Sequence, residues 1–327
     1  MTESNKSLAS IMSGFDRLRV LVVGDLMADK YVYGVAERLS PEAAVPVVKV
    51  KKEEYRLGGA ANVAHNAKQL GATVLLCGVV GYDDAAHMFR KAVREAGIES
   101  GGIFPSSDRS TTLKVRVVAL PYNQQVVRYD YESRKQLTEN ETPTVKRYIE
   151  SNIDQINAII LSDYDKGMLL GNTLPRFIID LAREKKVPTI VSSKQRHFRL
   201  FTNATAIIPN YYDAQDFVHM VNGNFFTSIT AIGEEILKLL DCEAALVVRE
   251  DQEIAICTKD GIQRTLQVGV SNSFSPAGVQ DTVCSTFALA LAAGADYENA
   301  AILASRAMKV VLSKEGMATI TIGELHE

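Results

Sequence analysis

The residues with the most specific chemistry lie near the C-terminal end of the chain, in the stretch 275–282, Ser-Pro-Ala-Gly-Val-Gln-Asp-Thr. A turn with Pro276 and Gly278 leads into a strongly helical run, so free backbone N–H groups at the helix start can bind a phosphate. Asp281 falls in the same first turn, where it can take a proton from a hydroxyl attacking that phosphate. The plainer alternative is that Asp281 only compensates the helix dipole, as acidic first turns commonly do.

The composition excludes several classes of partner. The chain has 327 residues, 46% of them hydrophobic, and a net charge of −3. It can bury a large core but lacks the basic field expected for nucleic acid or an anionic membrane. Its four cysteines show no paired spacing, which disfavours disulfides and zinc. Residues 1–10 lack the apolar core of a secretion signal, and no apolar run is long enough to span a bilayer, so we expect a cytoplasmic protein.

The first element able to position chemistry is the run 18–25, which is typical of a buried parallel strand ending in a turn. Asp25 and Asp29 come just past its C-terminal end, the edge at which open α/β sheets bind ligands. Capping of the turn is an equally good interpretation of Asp25. Asp29 has no such role in a turn.

Alternating strands and helices predict an α/β fold with a doubly wound, mostly parallel sheet. Four later runs have the composition of buried strands: 158–164, 187–191, 206–209 and 244–248. Two excursions, at about 30–57 and 111–132, alternate apolar and polar residues as half-exposed antiparallel strands do. We expect them to form a small inserted β-sheet that acts as a lid or a dimer surface. The domain is predicted at 14–325, after a polar tail at 1–13.

A glycine pair, Gly58 and Gly59, precedes a helix of small residues and supplies a tight turn or a close ligand approach. It is not a dinucleotide fingerprint, because no Gly-x-Gly-x-x-Gly follows a strand, and a dehydrogenase is therefore disfavoured. It is not a Walker P-loop either, because the chain has no Gly-Lys dipeptide. Asn62, one turn into the helix, can contact a polar ligand, although a helical Asn is more often solvated.

These motifs resemble the ribokinase-like (PfkB) carbohydrate kinases over residues 14–325. Within that family the chain is most similar to the bacterial D-glycero-D-manno-heptose-7-phosphate kinases of lipopolysaccharide biosynthesis, the kinase domain of a bifunctional heptose enzyme. The N-terminal signature is the run 58–64, Gly-Gly-Ala-Ala-Asn-Val-Ala, followed by Gly71 and Gly81. The heptose branch is indicated by four further runs: 24–29, 38–43, 46–50 and 161–167.

The resemblance implies roles for individual residues, with Asp281 as the general base that activates the acceptor hydroxyl. The anion hole would be formed by the N–H groups of Ala277, Gly278, Val279 and Gln280. Sugar hydroxyls would be bound by Asp25, Asp29, Gly58, Gly59 and Asn62. A phosphate already on the sugar would be held by basic lid residues among Lys49, Lys114, Arg116 and Arg128, each of which is individually more simply a solvated strand residue. The nucleotide and Mg²⁺ would contact Asn210, Asp213 and Lys194.

The second half departs from the family pattern. In the motif Asp-x-x-Gly-Ala-Gly-Asp, Ser275 replaces the first Asp and Gln280 the second Gly, while Val248 and Glu253 stand where Thr and Gly are usual. A Cβ at Gln280 would crowd the phosphate, and a positive φ there would add ~1–2 kcal/mol of strain. A hydroxyl missing at Val248 would remove ~1 kcal/mol of hydrogen bonding.

Two functions therefore stay open. The first is an ATP- and Mg²⁺-dependent kinase that transfers the γ-phosphoryl group to a hydroxyl of a sugar phosphate, as a homodimer formed through the lid. The second is a catalytically degenerate kinase-fold protein that binds a sugar phosphate or serves as regulatory or structural partner of an active homologue. Asp281 favours the first, and the departures at Ser275, Gln280, Val248 and Glu253 favour the second.

Overall fold

Strands and helices alternate along the computed structural model, which describes residues 7–171, 173–250, 252–269, 278–314 and 319–326. The strands are β1 (Arg19–Gly24), β2 (Leu26–Leu39), β3 (Pro46–Gly59), β4 (Thr73–Val80), β5 (Glu99–Pro105), β6 (Thr112–Leu120), β7 (Gln124–Tyr131), β8 (Ala158–Ser162), β9 (Thr189–Ser192), β10 (Ala206–Ile207), β11 (Ala244–Arg249), β12 (Glu253–Thr258) and β13 (Gln263–Gln267). The helices are α1 (Leu8–Met12), α2 (Ala60–Gln69), α3 (Asp84–Glu95), α4 (Glu141–Asn152), α5 (Thr173–Glu184), α6 (Tyr211–Asn222), α7 (Ile229–Leu240), α8 (Val279–Ala292), α9 (Tyr297–Leu312) and α10 (Ile322–His326). Short 3₁₀ segments cover Phe15–Arg17, Ile153–Gln155 and Gln195–Phe201.

The large sheet contains, within these ranges, nine strands in the order β13-β12-β11-β10-β9-β8-β1-β4-β5. Strand β1 pairs in parallel with β4 on one side and with β8 on the other. The chain therefore builds one side of the sheet and then returns past β1 to build the other. Such a switch point opens a crevice at the carboxyl ends of the strands, here between β1 and β8.

The two faces of the large sheet are covered by different helices. In β1, Val20 and Val22 join one core cluster while Leu21 and Val23 join the other, because successive side chains of a strand point to opposite faces. Residues of α2, α3, α8 and α9 belong to the first cluster, and residues of α4, α5, α6 and α7 belong to the second. The strands are thus buried on both faces, which explains their continuous apolar sequences.

A second sheet of the described chain, the lid sheet, has four strands in the order β3-β2-β6-β7. Strand β2 begins at Leu26, separated from β1 by Asp25 alone, and pairs antiparallel with β3 as far as Gly59. The predicted fold class, a doubly wound and mostly parallel sheet with a smaller separate one, is confirmed. The strands run further than the pattern indicated, so Gly58 and Gly59 are the last residues of β3 and the start of α2 follows directly.

Helix α8 lies inside the molecule, with most of its residues from Val279 to Ala290 buried. Thr282 in its first turn donates from Oγ1 to Oδ1 of Asn66 in α2 over 2.9 Å. This contact fixes the start of α8 against α2. None of the helices in the described segments combines the length and the apolar composition required to cross a bilayer.

Candidate active site

A buried carboxylate, Asp281, lies where three parts of the chain meet. It is in the first turn of α8 and is only 3% exposed. Asn62 of α2 donates from Nδ2 to its Oδ2 over 2.7 Å, and the hydroxyl of Tyr164, which follows β8, donates to its Oδ1. Both oxygens are therefore oriented by side chains from other elements.

Burial raises the pKa of Asp281 to about 6 because it disfavours the charged form. The negative charges of Asp29 and Glu250 also raise this pKa, whereas the hydrogen bonds from Tyr164 and Asn62 lower it. A carboxyl pKa near neutrality suits the acceptance of a proton from an alcohol. Dipole compensation requires no such burial, as the exposed Asp84 in the first turn of α3 illustrates.

The start of α8 has the glycine that the sequence indicated. Gly278 is the N-cap with a φ of 85°, in the left-handed region that favours glycine, and no side chain of the described residues caps the helix there. The N–H groups of Val279 and Gln280 must find acceptors outside the helix, which an anion would supply. Ala277 and Ser275 lie outside the described residues.

The backbone of Gln280 lacks the positive φ that was considered from the sequence. It belongs to α8 and is not among the residues with positive φ, so the predicted strain does not arise. Its side chain donates from Nε2 to the carbonyl oxygen of Ile208 over 2.7 Å. The substitution therefore ties the start of α8 to the end of β10.

Asp29 of β2 is a second buried carboxylate, 1% exposed, and it forms an ion pair through Oδ1 with Arg116 of β6. Its Oδ2 has no hydrogen-bond partner among the described residues. A Cβ built on Gly58 would lie 2.3 Å from that oxygen, so only glycine fits beside it. A hydroxyl donor would satisfy Oδ2 at this place.

Gly59 and Asn62 are positioned by the junction of β3 with α2. Gly59 is the N-cap of α2 with a φ of 56°, and a Cβ there would lie 2.6 Å from the carbonyl oxygen of Asp25. The same oxygen accepts the N–H of Ala60 over 3.1 Å. This tight approach places Asn62, 2% exposed, opposite Asp281.

The carboxylate of Asp25 accepts hydrogen bonds from the backbone of the loop 163–168. Its Oδ2 accepts the backbone N–H groups of Tyr164 and Lys166 over 2.7 and 3.0 Å, and its Oδ1 that of Met168 over 3.0 Å. Burial and the nearby Asp163 raise the pKa of Asp25 to about 6, against the lowering effect of these hydrogen bonds. Of the two interpretations of Asp25, the structure displays the capping of a turn. The turn that Asp25 caps lies in the loop 163–168, which is distant from Asp25 in the sequence.

Two of the four basic lid residues, Arg116 and Lys114, form ion pairs and have side chains that are less than 20% exposed. Arg116 pairs with Asp29, as described above. Lys114 lies between Asp130 and Glu132, with Nζ 2.9 Å and 3.0 Å from their carboxylate oxygens. Arg116 is thus the basic residue that the structure brings to the predicted sugar ligands.

The other two, Lys49 and Arg128, are exposed. Lys49 lies toward the opposite end of β3 from Gly59, roughly 30 Å away along an extended strand. Arg128 is the cross-strand neighbour of Arg116 and lies 3.2 Å from Asp130. The structure therefore does not gather the four basic residues into one cluster.

Arg56 is a cation that the sequence reasoning missed. Its guanidinium lies 4.4 Å from the ring centre of Tyr31, and that of Arg116 lies 5.3 Å from the same ring. In β3 the side chain of Arg56 shares a face with Gly58, because alternate residues of a strand point the same way. The two-residue spacing of Arg56 and Gly58 was therefore the sequence signal that could have identified Arg56 as a residue of the site.

The residues predicted for nucleotide and Mg²⁺ meet at the carboxyl ends of β9 and β10. Asn210 is the N-cap of α6, with Oδ1 accepting the N–H of Tyr212 over 2.9 Å. Asp213 follows in the first turn, and its carboxylate lies 3.5 Å from Nζ of Lys194. The structure thus brings the three residues together beside the carbonyl of Ile208 that Gln280 contacts.

The residues that depart from the family pattern on β11 and β12 have local partners. Val248 is fully buried in the core cluster of α8. Glu253 lies 3.0 Å from the guanidinium of Arg249, which in turn lies 3.6 Å from the ring centre of Tyr211. The side chain of Arg249, paired with Glu253, therefore lies beside Tyr211 at the start of α6, a contact that the sequence did not indicate.

No group of three or more His, Cys, Asp or Glu side chains in the described segments is arranged to hold a metal ion. Mg²⁺ in phosphoryl-transfer sites is usually bound by one or two carboxylates together with substrate phosphates. Asp213, with a side chain 25% exposed, and Asn210 provide an oxygen donor set of that limited kind. The residues present therefore fit a magnesium ion that arrives with a nucleotide.

Solved structures share this architecture. The tetrameric inhibited form of phosphofructokinase-2 from Escherichia coli superposes with a TM-score of 0.74 at 14% identity, covering 94% of this chain and 97% of that one. A putative ribokinase from Agrobacterium tumefaciens gives a TM-score of 0.71 at 17% identity, covering 94% and 96%. The fold is that of the ribokinase-like kinases.

The chain belongs to the pfkB family of carbohydrate kinases, whose family model matches residues 17–322. The Bifunctional protein HldE of Geobacter metallireducens is 34% identical over 320 residues, which cover 98% of this chain and 64% of the relative. That of Mesorhizobium japonicum is 36% identical over 323 residues, with coverages of 98% and 64%. The chain thus spans 64% of the length of these relatives, slightly less than two thirds. The predicted family is confirmed.

Proposed function

We propose that the chain is an ATP-dependent kinase that phosphorylates a hydroxyl of a sugar phosphate of the heptose 7-phosphate class. The observation that carries the proposal is Asp281, a buried carboxylate with a pKa of about 6 beside an uncapped helix start. Phosphoryl transfer requires chiefly positioning and charge stabilisation, with one carboxylate to orient the nucleophile. Membership of a carbohydrate kinase family supports a sugar as the acceptor.

In the proposed reaction a sugar hydroxyl bonds to the γ-phosphorus of ATP as the bond to the β–γ bridging oxygen breaks. The hydroxyl proton passes to Asp281, and ADP leaves with the bridging oxygen. Asp29, Asn62 and the glycine pair at 58–59 orient the sugar, while the N–H groups at the start of α8 stabilise charge on the transferring group. Asp213 and Asn210 would hold a magnesium ion together with the nucleotide phosphates, and the ion would supply charge neutralisation when bound.

The first test is Asp281→Asn, which keeps the shape of the side chain but removes the proton acceptor. We expect phosphoryl transfer from Mg·ATP to heptose 7-phosphate to fall by about 10²–10⁴-fold, the usual contribution of a general base. Sugar-phosphate binding, measured by calorimetry, should persist. Asp84→Asn in the first turn of α3 is the matched control and should leave turnover unchanged. Normal turnover in Asp281→Asn would refute the assigned role.

The second candidate is a catalytically degenerate member of the family that binds a sugar phosphate or regulates an active homologue. It is favoured by the contact of Gln280 with Ile208 and by the packing of Arg249 on Tyr211, both next to the residues proposed for the nucleotide. Calorimetric titration with Mg·ATP, with and without heptose 7-phosphate, separates the two candidates. Sugar-phosphate binding without any nucleotide binding at millimolar ATP would replace the kinase proposal by this one.

We further propose that the chain forms a cytoplasmic homodimer through the lid sheet. Strand β7, an edge strand, exposes Val127, Tyr129 and Tyr131 to extents of 48%, 47% and 56%. These alternate residues lie on one face of the strand, so they form a continuous apolar stripe. A stripe of this kind on an edge strand favours association with a second copy of the chain.

A further inference from the structure

The loop 163–168, whose N–H groups Asp25 binds, is held at a second point by Asp163. This residue is 3% exposed, and its Oδ2 accepts the hydroxyl of Ser193 over 2.6 Å and lies 2.7 Å from Nδ1 of His197. Its Oδ1 accepts the N–H of Asp165 over 2.9 Å. Anchored by two buried carboxylates, the loop has little freedom to change shape.

The anchored loop directs the hydroxyl of Tyr164 at Oδ1 of Asp281. Burial and the negative charge of Asp281 raise the pKa of Tyr164 well above its usual value. The phenol therefore keeps its proton at neutral pH and acts as a donor. Asn62 is the second side-chain donor to Asp281 and hydrogen-bonds the other carboxylate oxygen, Oδ2.

Burial and neighbouring negative charges oppose the ionisation of Asp281, whereas its place in the first turn of α8 favours it through the helix dipole. The titratable groups that face it come from separate parts of the chain and are Asp29, Tyr164, Glu250 and Cys284. Asp29 and Glu250 contribute negative charge, and burial keeps the thiol of Cys284 neutral by raising its pKa. Donors to the charged form are the means by which a protein keeps a buried carboxylate ionised.

We propose that Tyr164 is a positioning residue for Asp281, which it orients and keeps ionised so that the carboxylate can accept the proton of the substrate alcohol. The phenol makes with Oδ1 the same kind of O–H to carboxylate hydrogen bond that the alcohol must make. The inference rests on the role of Asp281 as general base under the proposed function. It adds a residue that the motif comparison did not assign.

The test is Tyr164→Phe, which retains the ring and removes the donor. The titration of Asp281 is followed by the infrared band of its protonated carboxyl group, identified from the difference between the parent protein and Asp281→Asn. We expect the apparent pKa of Asp281 to rise by about one pH unit, a tenfold change in the proton equilibrium. Tyr297→Phe is the matched control, because Tyr297 donates over 2.6 Å to a different carboxylate, that of Glu243, and it should leave the titration unchanged.

A titration of Asp281 that is the same in Tyr164→Phe and in the parent protein would overturn the proposal. Should Tyr164→Phe fail to fold by circular dichroism, 3-fluorotyrosine at position 164 gives the opposite test. Its more acidic phenol is a stronger donor, so the pKa of Asp281 should then fall. An unchanged titration with that residue would equally reject the role of Tyr164.

Turnover distinguishes this inference from the kinase proposal. If no form of the protein consumes Mg·ATP with the sugar phosphate, the kinase proposal fails, while the infrared titration still decides the role of Tyr164. If the protein is active, the acid limb of kcat/KM in Tyr164→Phe should move to higher pH by the same amount as the infrared pKa. An acid limb that stays in place despite that change would show that Tyr164 does not act through the catalytic base.

Discussion

Gly58 defines part of the candidate site by having no side chain. The hydrogen of its Cα faces Oδ2 of Asp29, and that oxygen has no protein partner among the described residues. A buried carboxylate oxygen without a donor costs stability, which a bound hydroxyl would restore. The same two residues thus explain both a steric requirement and an unfilled hydrogen bond.

The Gly58→Ala variant should therefore lose affinity for the sugar phosphate. The added methyl would meet Asp29 Oδ2 at 2.3 Å, and displacement of a packed buried group costs ~1–3 kcal/mol, which corresponds to weakening of binding by up to about 100-fold. Calorimetry with heptose 7-phosphate measures this directly. The control is Gly323→Ala in α10, where no atom lies within 4 Å of the new methyl, and it should bind as the parent does. Undiminished affinity in Gly58→Ala would separate Asp29 from sugar binding.

At the scale of single residues, the sequence identified positions whose type is restricted by sterics or charge. Glycines 58 and 278 could be found because glycine suits a close approach or a left-handed φ better than any other residue. Tyr164 could not be assigned, because its role depends on which neighbour a loop presents to it. No spacing within the chain encodes that information.

Among the elements, the loop 163–168 is organised by charge. The hydrogen bond between Asp163 and His197 is the main cause of the raised pKa of His197. Burial alone would raise the pKa of Asp163, but the hydrogen bonds to this residue, that of His197 among them, lower it. A raised histidine pKa adds stability that is complete below about pH 6.5 and is lost as pH rises through the folded-state value. A lowered carboxyl pKa adds stability above about pH 4 that is lost in acid.

The His197→Gln variant should consequently be destabilised more at pH 6 than at pH 8.5. At the lower pH the charged hydrogen bond contributes ~2 kcal/mol, and this contribution falls as pH rises through the raised folded-state pKa of His197. Thermal denaturation of both proteins across this range measures the difference in Tm. His87→Gln on the exposed face of α3 is the control, with no such pH dependence expected. A deficit that is equal at the two pH values would mean that His197 acts by packing alone.

The central strands β1, β8, β9, β10 and β11 were predictable because each is a short apolar run buried on both faces. The ends of the lid strands were harder to predict, since β2 follows β1 after one residue, where the sequence indicated that the strand ends in a turn. The shape of the loop 163–168 was not predictable, because the acceptor of its N–H groups is a carboxylate from the other side of the sheet switch point.

For the whole molecule, the apolar stripe on β7 provides the test of assembly. Replacing Tyr129 with Glu should place a charge in the proposed contact and shift the homodimer toward monomer, since a buried unpaired charge is costly. Sedimentation analysis gives the mass directly. Tyr82→Glu, at a residue 75% exposed before α3 and outside the lid sheet, is the matched control and should leave the mass unchanged. A parent protein that is monomeric at all concentrations would rule out the homodimer.

The contacts around Asp281 also set the order in which the site can appear during synthesis. Met168 and Asp25 are separated by 143 positions, Tyr164 and Asp281 by 117, and Asn62 and Asp281 by 219. A nascent chain that has emerged only as far as β11 already contains the lid sheet and the anchored loop, but has no proton acceptor for Tyr164 and Asn62 to hold. The proposed sugar-binding residues therefore emerge from the ribosome before the proposed catalytic carboxylate, which arrives with α8.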